Sequence, residues 1–110
     1  MTRLIIKSVA RDDVLRQVRY LLEQDAVRAA TRFPSALQKA LERIVQFPRI
    51  GAPRKLRSAE LKHLRSWPIP GFKSVRVYYI ATRSVVRVLR VLHDRQDLKQ
   101  LLLRNQDSLR

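Results

Sequence analysis

Phe72-Lys-Ser-Val-Arg76-Val-Tyr-Tyr-Ile80 and Val85-Val-Arg-Val-Leu-Arg-Val-Leu-His93, separated by a short polar break at Thr82-Arg83-Ser84, decide how the rest of this chain is arranged. Both arms are dense in Val, Ile and Tyr with basic residues interleaved, as in strands that bury one face and keep the other for polar work. The break is too short for anything but a tight connection, so the stretch predicts a β-hairpin. Parity then sorts the side chains. A two-residue (Arg83 and Ser84) or four-residue (Thr82 to Val85) connection pairs Arg76 near Val91 and puts Arg76, Tyr78, Arg87 and His93 on one face. The opposite face then carries Val75, Val77, Tyr79, Val86, Val88 and Leu92, with Arg90 its one misfit, and is the expected core face. A three-residue loop would place Arg76 and His93 on opposite faces. The first register is preferred because it makes one clearly apolar face, although Arg83-Ser84 is poor chemistry for a primed two-residue turn.

Working outward, 110 residues with 45% hydrophobic content suffice for one domain with a single core. Without cysteine there is no disulfide framework or thiolate metal site, and two histidines with nine carboxylates imply no metal centre and no cofactor. The apolar run Leu4-Ile-Ile is far too short for a signal peptide or a membrane span, so a cytoplasmic protein is expected. The loudest number is the charge, 24 Lys and Arg against nine Asp and Glu, for a net +15. Arg43 to Arg95 holds 13 basic and two acidic residues, a net of +11. Such a field favours phosphate backbones or an acidic protein partner.

The flanking segments supply a second layer. Arg3 to Ser8 predicts a first strand, and Ser8 a cap for a helix to about Glu23. That helix has a stripe of Val14, Leu15, Val18, Leu21 and Leu22, with Asp12 and Asp13 in its first turn. Asp25 is expected to cap a second helix reaching about Gln46, with a stripe of Ala30, Phe33, Leu37, Ala40, Leu41 and Ile44. Because the stripe keeps its phase across Pro34, one kinked helix is expected, the alternative being a new helix from Thr31. Phe47 to Arg54 is a loop by every local signal. Leu61 to Trp67 predicts a strand, Pro68 to Gly71 a turn, and Asp97 a cap for a short terminal helix through Leu102, with 105–110 frayed. The fold class is α+β, in the order β-α-α-β-β-β with a short C-terminal helix. A helical hairpin packs on one face of a small, mainly antiparallel sheet, leaving the other face free.

Leu41 to Gly51 (Leu-Glu-Arg-Ile-Val-Gln-Phe-Pro-Arg-Ile-Gly), Leu64-Arg65, Gly71-Phe72 with Arg76 and Tyr79, and Val91-Leu-His93-Asp94-Arg95-Gln-Asp97 together resemble the RelE/ParE toxin superfamily, closest to its ParE branch. The resemblance covers most of the chain in the right order and implies a single toxin domain over 1–110. It implies the toxin half of a bacterial type II toxin–antitoxin pair, a plasmid-stabilising type of system, neutralised by a ParD-like antitoxin whose contact segment is acidic. It also implies DNA gyrase as the target and no self-contained enzyme activity. RelE-like members instead cleave mRNA on the ribosome.

The residues carry both alternatives. Under the ParE reading none is catalytic, and Arg65, Arg76, Arg87, His93 and Arg95 are the candidates for binding the target or its phosphates. RNA cleavage needs a base, an acid and cations for the charge that develops on phosphorus. Arg76 would supply the cation, His93 the acid, and Glu60 or His63 the base, with Lys62, Arg65 and Arg87 positioning phosphates. Asp94 stands where RNase members often carry a tyrosine after the histidine, which favours the ParE branch. A third reading is a basic nucleic-acid-binding module without toxicity. His93, at a strand end, equally fits a partly buried residue paired with Asp94 or Asp97.

Overall fold

The computed structural model describes residues 2–56 and 58–96, so the terminal helix expected from Asp97 and the frayed 105–110 segment lie outside the described residues. Its elements run β1 (Arg3–Ile6), α1 (Ser8–Glu23), α2 (Val27–Gln46), β2 (Ala52–Pro53), a 3-10 turn (Ala59–Leu61), β3 (Arg65–Ile69), β4 (Phe72–Ala81) and β5 (Val85–His93). The sheet order is β1-β5-β4-β3-β2. β1 runs parallel to β5, and the other pairs are antiparallel. The architecture is the expected α+β one, with the two-residue β2 added inside the predicted loop.

Both helices lie where expected but start differently. Lys7 is the N-cap of α1 and Ser8 its first residue, so Asp12 and Asp13 fall outside the first turn and Ser8 caps nothing. Ala10 and Asp13 are buried, Val14, Val18 and Leu21 pack on the core, and Leu15 and Leu22 are 64% and 50% exposed. The expected stripe was wider than its neighbours could cover: only the arc of α1 that rests on β5 and α2 is buried. Asp25 does not cap α2 either. It sits in the left-handed region at φ 57, in the turn between the helices, and Ala26 is the N-cap. α2 is one helix through Pro34, which occupies an exposed position on it. Ala30, Phe33, Ala40, Leu41 and Ile44 form its buried stripe.

The strand expected at Leu61 to Trp67 begins later. Leu61 ends the 3-10 turn, and β3 carries Pro68 within it. β2 reaches only Arg65 and Ser66, so Pro68 lies on a free edge where its missing N–H breaks no ladder bond. Gly71, at φ 81, makes the turn into β4.

The hairpin has the four-residue connection: Ala81 pairs with Val86, and the Thr82 N–H donates to the Val85 carbonyl at 2.8 Å. Neither Arg83 nor Ser84 has positive φ, so the turn is not a primed one. The ladder then slips by one residue. Tyr79 pairs with Val88 but Tyr78 pairs with Arg90, leaving Leu89 as a β-bulge. Beyond the bulge Arg76 pairs with Leu92, not Val91, and Val75 pairs with His93. Directly opposed residues share a face. The expectation that Arg76 and His93 share one is therefore corrected, since the extra residue reverses the parity of everything after it.

Two cores result. On the helix side Val75, Val77, Tyr79, Val86, Val88 and Val91 pack with Ala10, Phe33, Ala40, Leu41 and Ile44. Phe33 meets Phe72 edge-on, ring centres 5.0 Å apart at 89°, a contact worth about 0.5–1.5 kcal/mol beyond its burial. On the other side Tyr78, Leu89 and Leu92 are buried under Leu61 and Leu64, with Leu56 and Ile80 at the margin. The sheet face expected to be free is thus partly roofed by the segment between β2 and β3.

Candidate functional site

α2 ends at Gln46, and the chain turns back through Phe47-Pro48-Arg49-Ile50-Gly51 toward β2. Two side chains from the sheet hold this turn. The Tyr79 hydroxyl donates to the Pro48 carbonyl at 2.8 Å and accepts the Gly51 N–H at 2.9 Å. Arg65, opposite Tyr79 in the ladder, donates to the carbonyls of Gly51 and Arg49 at 2.8 and 3.2 Å. Burial pushes the Tyr79 phenol above its ordinary value, while the Gly51 N–H and then the charge of Arg65 pull it back. Gly51 is required by space: a Cβ there would lie 2.6 Å from the Tyr79 hydroxyl and 2.9 Å from the Ser66 carbonyl.

Pro48, Arg49 and Arg65 of this clamp also line a cleft of about 1120 Å³. Its lining includes Arg43 and Phe47 from the end of α2, Arg49 from the turn, Lys62, His63 and Arg65 from the approach to β3, and Arg83 from the hairpin tip. Among the described residues no carboxylate lines it.

The five residues singled out from the sequence do not converge on one place. Arg65 stands at this cleft with its guanidinium engaged on backbone carbonyls. Arg76 is on the opposite sheet face, donating through Nε to the Ser66 hydroxyl at 3.1 Å. Arg87, paired with Ile80, shares the face of Arg76. His93 lies on the helix-side face at the far end of the ladder, opposite Val75. Its Nδ1 accepts the Arg95 N–H at 3.2 Å, which requires the neutral ring, and lies 3.2 Å from the Asp94 carboxylate, an ion pair only when the ring is protonated. Its own N–H donates to Gln96 at 2.8 Å. His93 therefore organises the start of the C-terminal segment, and Arg95 is exposed beside it.

Glu60 and His63, the base candidates of the nuclease alternative, are exposed on the segment between β2 and β3. Among the described residues no cluster of three or more His, Cys, Asp or Glu could hold a metal ion, and no helix is long and apolar enough to cross a membrane. Sequence reasoning missed Arg43, Phe47, Arg49 and Arg83 as members of one site. The available signal was the run Arg43 to Arg49, in which an aromatic falls between two cations just as a helix ends. Arg83 belongs to the site only through tertiary contact.

The family model described as the ParE toxin of type II toxin–antitoxin system, parDE, matches residues 4–98. Among solved structures, a chain of the "Chromosomal ParDE TA system from P. aeruginosa" is similar with a TM-score of 0.68 at 13% identity, covering 84% of this chain and 96% of that one. At such identity the likeness is one of fold. No curated protein matches the sequence.

Proposed function

The chain belongs to the ParE toxin family of type II toxin–antitoxin systems, and from that premise we propose that it inhibits DNA gyrase in the cytoplasm and is neutralised by a cognate, ParD-like antitoxin. The observation that carries this reading over RNA cleavage is the separation of Arg76 and His93 by the bulge at Leu89. An acid must reach the leaving oxygen within hydrogen-bond distance while a cation holds the same phosphate. Here the arginine is bonded to Ser66 on one face, and the histidine on the other accepts the Arg95 N–H. A toxin that acts by binding makes no such demand.

Charge describes the antitoxin. Against the net +11 of Arg43 to Arg95, a contact segment rich in Asp and Glu with apolar anchors at helical spacing supplies both steering and burial. The test pairs two measurements. In bacteria, thymidine incorporation falls before methionine incorporation after induction. In vitro, the purified chain blocks plasmid supercoiling by gyrase, and the antitoxin restores it. An early fall in methionine incorporation with intact supercoiling overturns the reading in favour of the ribosome and mRNA.

A further inference from the structure

The cleft beside the α2 terminus combines two features that the gyrase reading does not use. The first is a concentration of unspent positive charge. Arg65 is engaged on carbonyls, but the side chains of Arg49, Lys62 and Arg83 make no hydrogen bond or ion pair with any described residue. They come from three separate segments and meet on one lining. Like charges brought together in a concave, carboxylate-free wall raise the energy of the free protein, and an anion offsets that cost.

The second feature is aromatic. Phe47 lines the same cleft and remains 47% exposed, although the helix-side core is close by. The Arg43 guanidinium lies over its ring, 4.9 Å from the centroid. A half-exposed phenyl ring with a guanidinium held over it is a platform on which a planar group can stack. A peptide carrying acidic residues without an apolar anchor would use the cations and leave the ring unused. A duplex would keep its bases stacked inside and likewise leave it unused.

We infer that this cleft binds single-stranded nucleic acid, with one base stacked on Phe47 and the neighbouring phosphates held by Arg49, Lys62 and Arg83. Stacking on an aromatic ring with flanking backbone contacts is how sequence-tolerant single-strand sites are built. The cleft's volume of about 1120 Å³ lies just above the roughly 300–1,000 Å³ range of small-molecule pockets, ample for a nucleotide and its flanking phosphates. The chemistry is shared by single-stranded DNA and RNA. The inference does not rest on gyrase as the target, because it concerns the isolated chain and a different set of residues.

Fluorescence anisotropy with the purified full chain and labelled oligo-dT, oligo-rU and a blunt duplex tests it. The single strands bind more tightly than the duplex. Phe47→Ala weakens them about tenfold or more, and Phe47→Trp restores binding. Lys62→Ala with Arg83→Ala lowers the salt slope by about 1.4, the loss expected for two phosphate contacts on a single strand. Arg11→Ala with Arg28→Ala removes the same charge from exposed positions on α1 and α2 and leaves affinity nearly unchanged. Preference for dT or rU over the other identifies the natural strand, and equal binding assigns a site indifferent to the sugar. Duplex binding as tight as single-strand binding, a Phe47→Ala protein that is folded and binds normally, or equal losses in the two charge-removal variants each overturn the inference. Supercoiling inhibition measured on the same variants separates this outcome from the fate of the gyrase reading.

Discussion

Arg90 donates two hydrogen bonds, 2.7 and 2.8 Å long, to the two carboxylate oxygens of Asp13, and the side chains are only 4% and 2% exposed. The pair ties β5 to α1 beside the bulge. β1 stops opposite Val88, and the N–H of Val91, beyond its reach, donates to the same carboxylate at 3.0 Å. The residue that looked like a misfit on an apolar strand therefore has its partner on the inward face of the first helix.

Removing one member of this pair leaves a buried charge alone. Asp13→Ala should destabilise the fold by about 3–5 kcal/mol in urea unfolding. Asp13→Leu combined with Arg90→Met should recover most of that loss, because an apolar pair of similar volume carries no desolvation cost. A double variant as unstable as Asp13→Ala would show that the contact with the Val91 N–H matters more than the ion pair.

Tyr79→Phe leaves the Pro48 carbonyl and the Gly51 N–H without their shared partner and should cost about 1–3 kcal/mol. The phenol's raised pKa also sets a pH dependence. Above pH 10.0, its ordinary value, the unfolded chain releases the Tyr79 proton while the folded chain retains it, so stability falls as pH rises through that window. Unfolding of both proteins on either side of that pH should show a steeper alkaline decline in the wild type than in Tyr79→Phe.

Gly51→Ala should destabilise by about 1–3 kcal/mol through overpacking. Pairing it with Tyr79→Phe should bring no rescue, because Tyr79 Cε1 at 2.8 Å and the Ser66 carbonyl at 2.9 Å still obstruct the new methyl. Recovery in the double variant, read by thermal unfolding, would trace the obstruction to the hydroxyl alone.

Arg76→Ala and His93→Ala should both keep growth inhibition and gyrase inhibition, provided each is folded by circular dichroism. Loss of a general acid typically costs about 100-fold or more. A drop of that size in a folded His93→Ala toxin, with cleaved mRNA appearing in the wild type, would assign RNA cleavage instead.

The element order, the buried stripe of α2, the α+β class and the hairpin, with a connection of either two or four residues, were legible in the sequence, because each depends on local periodicity or turn length. The resemblance carried in Leu41–Gly51, Leu64-Arg65 and Val91–Asp94 led to the right family for the same reason: these pieces keep their spacing along the chain. What the sequence could not determine was set by contacts between distant segments. A β-bulge costs one residue and leaves no mark in an alternating Val-Arg pattern, so the separation of Arg76 from His93 was hidden. Which arc of α1 is buried depended on the positions of β5 and α2, and the partner of Arg90 lay 77 residues away in Asp13. The cleft is the extreme case, since Phe47, Lys62 and Arg83 come together only when α2, the β3 approach and the hairpin tip pack on one sheet. Sequence alone determined the elements and their order, because hydrophobic period is a property of neighbours. Tertiary structure alone decided which charges meet, because charge proximity is a property of space.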